Sequence, residues 1–252
     1  MPRTEIPGKF TPERNAIAVQ LREFRRVDST SGQTRYIVYK DASRLAEYLW
    51  SLGGLEKFIN YLRSLKSSNL LIDIGAGNGN AISQLEKNAL GQDLEIKATT
   101  LAMRRKSLDP LKLGRENTFF TSVERFDGVE DESVAGLIAV SSVEYSASPD
   151  LAVKSIDRVL VPGGAFKVTF LTTDSIPSTE KSMDIRDYKY GSDFFTDAFL
   201  KLGYDVAFGG QQYLSVPVIL LAIKPGGRGS ISAGDLLIGD NGMEDVRKYI
   251  KR

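Results

Sequence analysis

The feature that most constrains this chain is an apolar run that stops dead at a series of alternating glycines. Asn69 to Ile74 (NLLIDI) reads as a buried strand. Gly75-Ala76-Gly77-Asn78-Gly79 follows without a gap. Ala81 to Leu90 then places Ile82, Leu85 and Ala89 on one helical face, and Gly91 stops it. Strand, glycine loop and helix in this order make the opening unit of a parallel α/β sheet. The glycines let backbone approach a ligand closely.

The rest of the chain repeats the alternation. Strands are predicted over Leu94 to Thr99, Thr118 to Thr121, Val134 to Ser142, Ala165 to Leu171, Tyr204 to Phe208 and Val216 to Ile223. Ser148-Pro149 starts a helix through Leu160, which Pro162-Gly163-Gly164 ends. Another runs from Ser192 to Leu202, stopped by Gly203. The fold class is α/β: a three-layer, Rossmann-like sheet, mostly parallel, with one antiparallel strand near the C-terminus. The short link between the last two strands reads as a hairpin. Ahead of the sheet, Ala42 to Trp50 and Leu55 to Leu65 have helical periodicity, and Ala16 to Phe24 forms a short helix at most. Three units follow: an N-terminal extension and helical cap (1–65), the ligand-binding domain (66–225) and a tail (226–252). The tail has a Gly/Ser-rich linker, Gly226 to Ser232, and a helix, Glu244 to Ile250.

Composition removes several chemistries. The chain has no cysteine and no histidine. Disulfides, thiolate zinc sites, cysteine nucleophiles and a Ser-His-Asp triad are therefore excluded. Any general base must be a carboxylate or a tyrosine. Lys plus Arg number 33 against 32 Asp plus Glu, so no net field draws the molecule to nucleic acid or an anionic membrane. Two local basic clusters, Arg22-Arg25-Arg26 and Arg104-Arg105-Lys106, read as solvated surface. No signal-peptide pattern and no apolar run long enough to span a bilayer are visible, so the default location is cytoplasmic.

The glycine loop departs from the dinucleotide fingerprint. Asn80 stands where G-x-G-x-x-G needs its third glycine, and Asp73 precedes the loop. A carboxylate there opposes a pyrophosphate and suits a cationic ligand. The segment Asp73-Ile74-Gly75-Ala76-Gly77-Asn78-Gly79 resembles motif I of the class I S-adenosylmethionine (SAM)-dependent methyltransferases, D/E-x-G-x-G-x-G. Far downstream, Arg158-Val159-Leu160-Val161-Pro162-Gly163-Gly164 resembles the same family's R-V-L-x-P-G-G turn. The resemblance covers about Asn69 to Leu171, closest to the small-molecule and quinone-type branch.

The resemblance implies SAM as cofactor and methyl transfer as activity. It implies that Gly75, Gly77 and Gly79 pass under the cofactor and that Asp73 holds its amino group. At the end of the second strand the family has an acid on the ribose; here stand Thr99 and Thr100, read either as ribose ligands or as ordinary strand-end threonines. After the third strand come Ser122, Val123 and Glu124, at the family's adenine contact; Glu124 also reads as a solvated acid. Ala135 occupies a third position that is usually acidic. Ser141 closes the fourth strand as a further cofactor contact. Glu144 and Tyr145 follow it, facing the acceptor as base and pocket wall, or else packing locally.

The acceptor reads as a small molecule, unnamed by the sequence. Two alternatives stand beside this. One is an inactive methyltransferase-fold subunit that binds a protein partner through the N-terminal segment. The other is methylation of RNA or protein through the basic clusters.

Overall fold

The computed structural model describes residue 45 and residues 52–77, 79–100, 114–140, 142–146, 148–170, 192–209, 218–227 and 231–237. Among the described residues, seven strands form one sheet: β1 (Leu70–Ile74), β2 (Glu95–Thr99), β3 (Thr118–Phe119), β4 (Val134–Val140), β5 (Leu160–Phe170), β6 (Asp205–Gly209) and β7 (Val218–Ile223). Their order is β3-β2-β1-β4-β5-β7-β6. Strands β1 to β5 pair in parallel, and β7 runs antiparallel to both neighbours, β5 and β6. The single antiparallel strand expected near the C-terminus is β7.

Among the described residues, the helices that cover the sheet are α1 (Glu56–Ser64), α2 (Asn80–Glu86), α3 (Pro149–Val159), α4 (Ser192–Lys201) and α5 (Ala233–Leu237). Strand side chains alternate between two apolar cores. One core joins Leu71, Ile96 and Ile138 to Phe58, Ile59 and Leu62 of α1, Ile82 and Leu85 of α2, and Leu236 of α5. The other joins Ile72, Leu137, Phe166 and Val168 to Ile156 of α3 and to Phe195 and Phe199 of α4. Buried residues three and four apart on each helix produce these contacts, giving three layers.

Several elements differ from the sequence-based expectation. The helix after the glycine loop ends at Glu86, because the Asn88 side chain accepts from the Leu90 N–H (3.0 Å) and caps a separate 3-10 turn, Ala89–Gly91. Pro162-Gly163-Gly164 lies inside β5 and ends no helix. The register shifts between Val134 and Gly136 as β4 and β5 pair, which absorbs the extra residues as a bulge. Strand β3 is two residues long. The tail carries α5 at Ala233–Leu237, its first N–H held by the Asp205 carboxylate at 2.7 Å. The expected helices at 16–24 and 244–250 lie outside the described residues.

The R-V-L-V-P-G-G segment works as structure. Arg158 donates to the carbonyls of Arg125, Phe126 and Val129 and pairs with Asp131, fixing the loop between β3 and β4. The Tyr61 hydroxyl donates to the Gly163 carbonyl at 2.6 Å, tying α1 to the bulge.

Candidate functional site

Strand order reverses between β1 and β4, since β2 and β3 lie on one side of β1 and β5 on the other. In open parallel sheets the crevice at the carboxyl ends of the strands flanking this reversal is where ligands bind. The glycine loop leaves β1 at this point, and the turn after β4 faces it.

The loop is held from both sides. Thr99 is 1% exposed at the end of β2; its hydroxyl accepts from the Gly75 N–H at 3.1 Å and its carbonyl from the Ala76 N–H at 3.0 Å. The buried Thr100 hydroxyl donates to the Gly77 carbonyl at 3.0 Å. From the other side, the Ser142 hydroxyl donates to the Ile74 carbonyl at 2.7 Å. Gly79 turns the chain into α2, its N–H bonded to the Ala76 carbonyl at 2.9 Å.

Two glycines are required here for different reasons. Gly75 has φ +72°, and a Cβ on it would stand 2.7 Å from the Ser142 Cβ. Gly77 has φ +61°, and among the described residues nothing lies within 4 Å of where its Cβ would be. Both conformations are ones that L side chains adopt at a cost. Gly75 therefore lets Ser142 close against the loop, while Gly77 borders open space. Asp73 is 1% exposed, one residue before the end of β1, on the sheet face toward α1 and α2.

The residues after β3 pack inward. Ser122, Val123 and Glu124 are all buried. The Ser122 hydroxyl has no hydrogen-bond partner among the described residues. Such a group carries a desolvation cost. Glu124 is not the solvated acid of one sequence reading. Its Oε1 accepts from the Ser146 hydroxyl at 2.7 Å and its carbonyl from the Ser155 hydroxyl at 2.7 Å. It thus pins the turn after β4 and helix α3 to the β3 end.

Glu144 sits in the 3-10 turn Val143–Tyr145 directly after β4 and is fully buried. Of Tyr145 only the backbone is described, and Ser141 and the basic stretch 104–106 lie outside the described residues. Among the described residues no cluster of three or more metal-ligating side chains occurs.

The structure thus brings Asp73, Gly75, Gly77, Gly79, Thr99 and Thr100 together around one loop, with Ser122 following strand β3 and Glu144 following strand β4. It turns both threonine hydroxyls toward the loop. Sequence reasoning missed Ser142. Its only signal was its position after the last apolar residue of β4, shared with Ser141.

Comparison with known proteins agrees with this architecture. Residues 72–168 match the model of a methyltransferase domain. The CurJ carbon methyltransferase superposes with a TM-score of 0.58 at 15% identity, over 85% of this chain and 68% of that one. A Burkholderia thailandensis 1,6-didemethyltoxoflavin-N1-methyltransferase, solved with 1,6-didemethyltoxoflavin and S-adenosylhomocysteine, gives 0.53 at 12% identity, over 88% and 94%. The [4+2]-cyclase SpnF gives 0.51 at 14% identity, over 89% and 100%. These likenesses show the class I methyltransferase fold. No curated protein sequence matches the chain.

Proposed function

On the premise that residues 72–168 are a methyltransferase domain on a class I fold, we propose that this chain is a SAM-dependent methyltransferase acting on a small-molecule acceptor. The observation that carries the reading is the space beside Gly77, open among the described residues, bordered by a loop braced from β2 and from the turn after β4 and placed at the strand-order reversal.

When bound, SAM supplies a methyl group already activated on a sulfonium. The residues present fit such a group. Asp73, a buried carboxylate beneath the loop, suits the ammonium end. The backbone of Gly75, Gly77 and Gly79 allows close approach to the methionine and ribose portions. The Ser122 hydroxyl, buried after β3, is the group we assign to the adenine. The protein's main task is to align the acceptor and exclude water, and positioning alone supplies effective molarities of roughly 10⁵–10⁸ M. Where the acceptor must lose a proton, Glu144 is the base we assign, because it is a carboxylate at the carboxyl end of β4 and the chain has no histidine.

The test is calorimetric titration of the purified chain with SAM and S-adenosylhomocysteine, followed by methyl transfer from radiolabelled SAM to a panel of small hydroxyl- and amine-bearing acceptors. Saturable binding at micromolar concentration is expected; no heat at about 1 mM ligand, the floor of measurable affinity, contradicts the reading.

A second reading has its own observation. The position after β2 that would carry an acid is Thr100, and its hydroxyl is engaged with the loop. A fold that keeps the loop and has lost turnover would serve as a binding subunit. The same fold in SpnF is described as a [4+2]-cyclase. Stable co-purification with a partner and no methyl transfer supports this version; turnover by the isolated chain ends it.

A further inference from the structure

The two threonines at the end of β2 carry a consequence for cofactor selection. Glycine-loop α/β folds grip a ribose diol with a carboxylate at the end of the second strand. Here that point is Thr99-Thr100, and no acidic residue occurs between Glu95 and Asp109. Glu95 opens β2 at the opposite end, half-exposed and paired with Lys97 at 2.7 Å. The Thr99 hydroxyl accepts from Gly75 and the Thr100 hydroxyl donates to Gly77. Both side chains are buried against the loop.

We propose that Thr99 and Thr100 are positioning residues that frame the glycine loop and leave the ribose without a charged grip, so the site accepts ribose-modified adenosyl ligands. The inference rests on the SAM reading of the site. A hydroxyl that holds backbone shapes the cradle for any ligand lying on it. A carboxylate that holds the diol reports on the diol itself, because loss of a charge-assisted bond costs affinity about 10- to 150-fold, and loss of a neutral one only about 2- to 12-fold.

The experiment compares S-adenosylhomocysteine with its 2′-deoxy and 3′-deoxy analogues by calorimetry on the full chain. A loss below about tenfold for each analogue is expected; tenfold or more for either overturns the inference. The variant Thr100→Val is expected to weaken S-adenosylhomocysteine and the deoxy analogues by one common factor of roughly 3- to 10-fold, and Thr100→Ser to restore both. Weakening confined to S-adenosylhomocysteine shows the hydroxyl on the ribose and overturns it, as does unchanged affinity in a folded Thr100→Val. Should Thr100→Val not fold, the wild-type ratios decide. Wild-type protein that binds no S-adenosylhomocysteine sinks the cofactor reading and this inference with it. Tight binding with a steep deoxy penalty sinks only the inference.

Discussion

Replacing Gly75 and Gly77 by alanine separates the two jobs done by one loop. At Gly75 the added Cβ enters the left-handed region at φ +72° and stands 2.7 Å from the Ser142 Cβ and 3.2 Å from its Oγ. The backbone conformation costs about 1–2 kcal/mol and the forced repacking about 1–3 kcal/mol. Ser142 must then move, and its bond to the Ile74 carbonyl goes with it at about 1 kcal/mol. Gly75→Ala should lose about 3–6 kcal/mol of unfolding free energy in urea titration. At Gly77 the backbone cost recurs at φ +61°, but the Cβ meets nothing among the described residues. Gly77→Ala should lose only about 1–2 kcal/mol of stability. Its Cβ enters the space assigned to the cofactor, so S-adenosylhomocysteine affinity should fall at least about tenfold, about 1.4 kcal/mol. The double change Gly75→Ala with Ser142→Gly should recover the repacking part of the loss and leave the backbone part and the lost bond to the Ile74 carbonyl. Equal stability losses at the two positions, or wild-type affinity in Gly77→Ala, would refute the reasoning.

Three further outcomes follow from single groups. Asp73→Asn removes the buried carboxylate beneath the loop and should weaken S-adenosylhomocysteine by about 1.5–3 kcal/mol in the same titration. Thr169, fully buried in β5 with no hydrogen-bond partner for its hydroxyl among the described residues, should gain about 1 kcal/mol of stability on replacement by valine, measured in urea. Tyr204 has its pKa raised above the ordinary value of 10.0, first by burial and then by its hydrogen bond to Asp157. The folded state thus holds the phenolic proton more tightly than the unfolded state. The stabilisation is fully present below pH 10 and is lost as pH rises beyond it. Unfolding free energy in Tyr204→Phe should therefore fall less steeply above pH 10 than in the wild type, as read from denaturant titrations across that range.

Much of the architecture is legible in residue order, because local patterns decide it. Asn69 to Gly79 announces a strand, a loop and a helix. The near-continuous apolar run in β4 announces a strand covered on both faces, which it is. What was not legible depends on partners distant in sequence. Pro162-Gly163-Gly164 looks like a stop signal. Inside β5 it is tolerated because the pairing with β4 slips there and the Tyr61 hydroxyl caps the Gly163 carbonyl. Glu124 has the composition of a surface acid, and its burial becomes legible when Ser146, 22 residues on, is seen donating to its carboxylate. Ser142 and the threonines of β2 acquire their roles from the glycine loop, from which they are separated by 68 residues in one case and 24 and 23 in the others. No periodicity encodes such a bond.

A crystal structure of the chain grown with S-adenosylhomocysteine puts the whole reading at risk in one experiment. Density for the nucleoside should lie over Gly77, its amino group toward Asp73 and its adenine toward Ser122. A crevice filled by the protein's own side chains, or density bound elsewhere on the molecule, would contradict it.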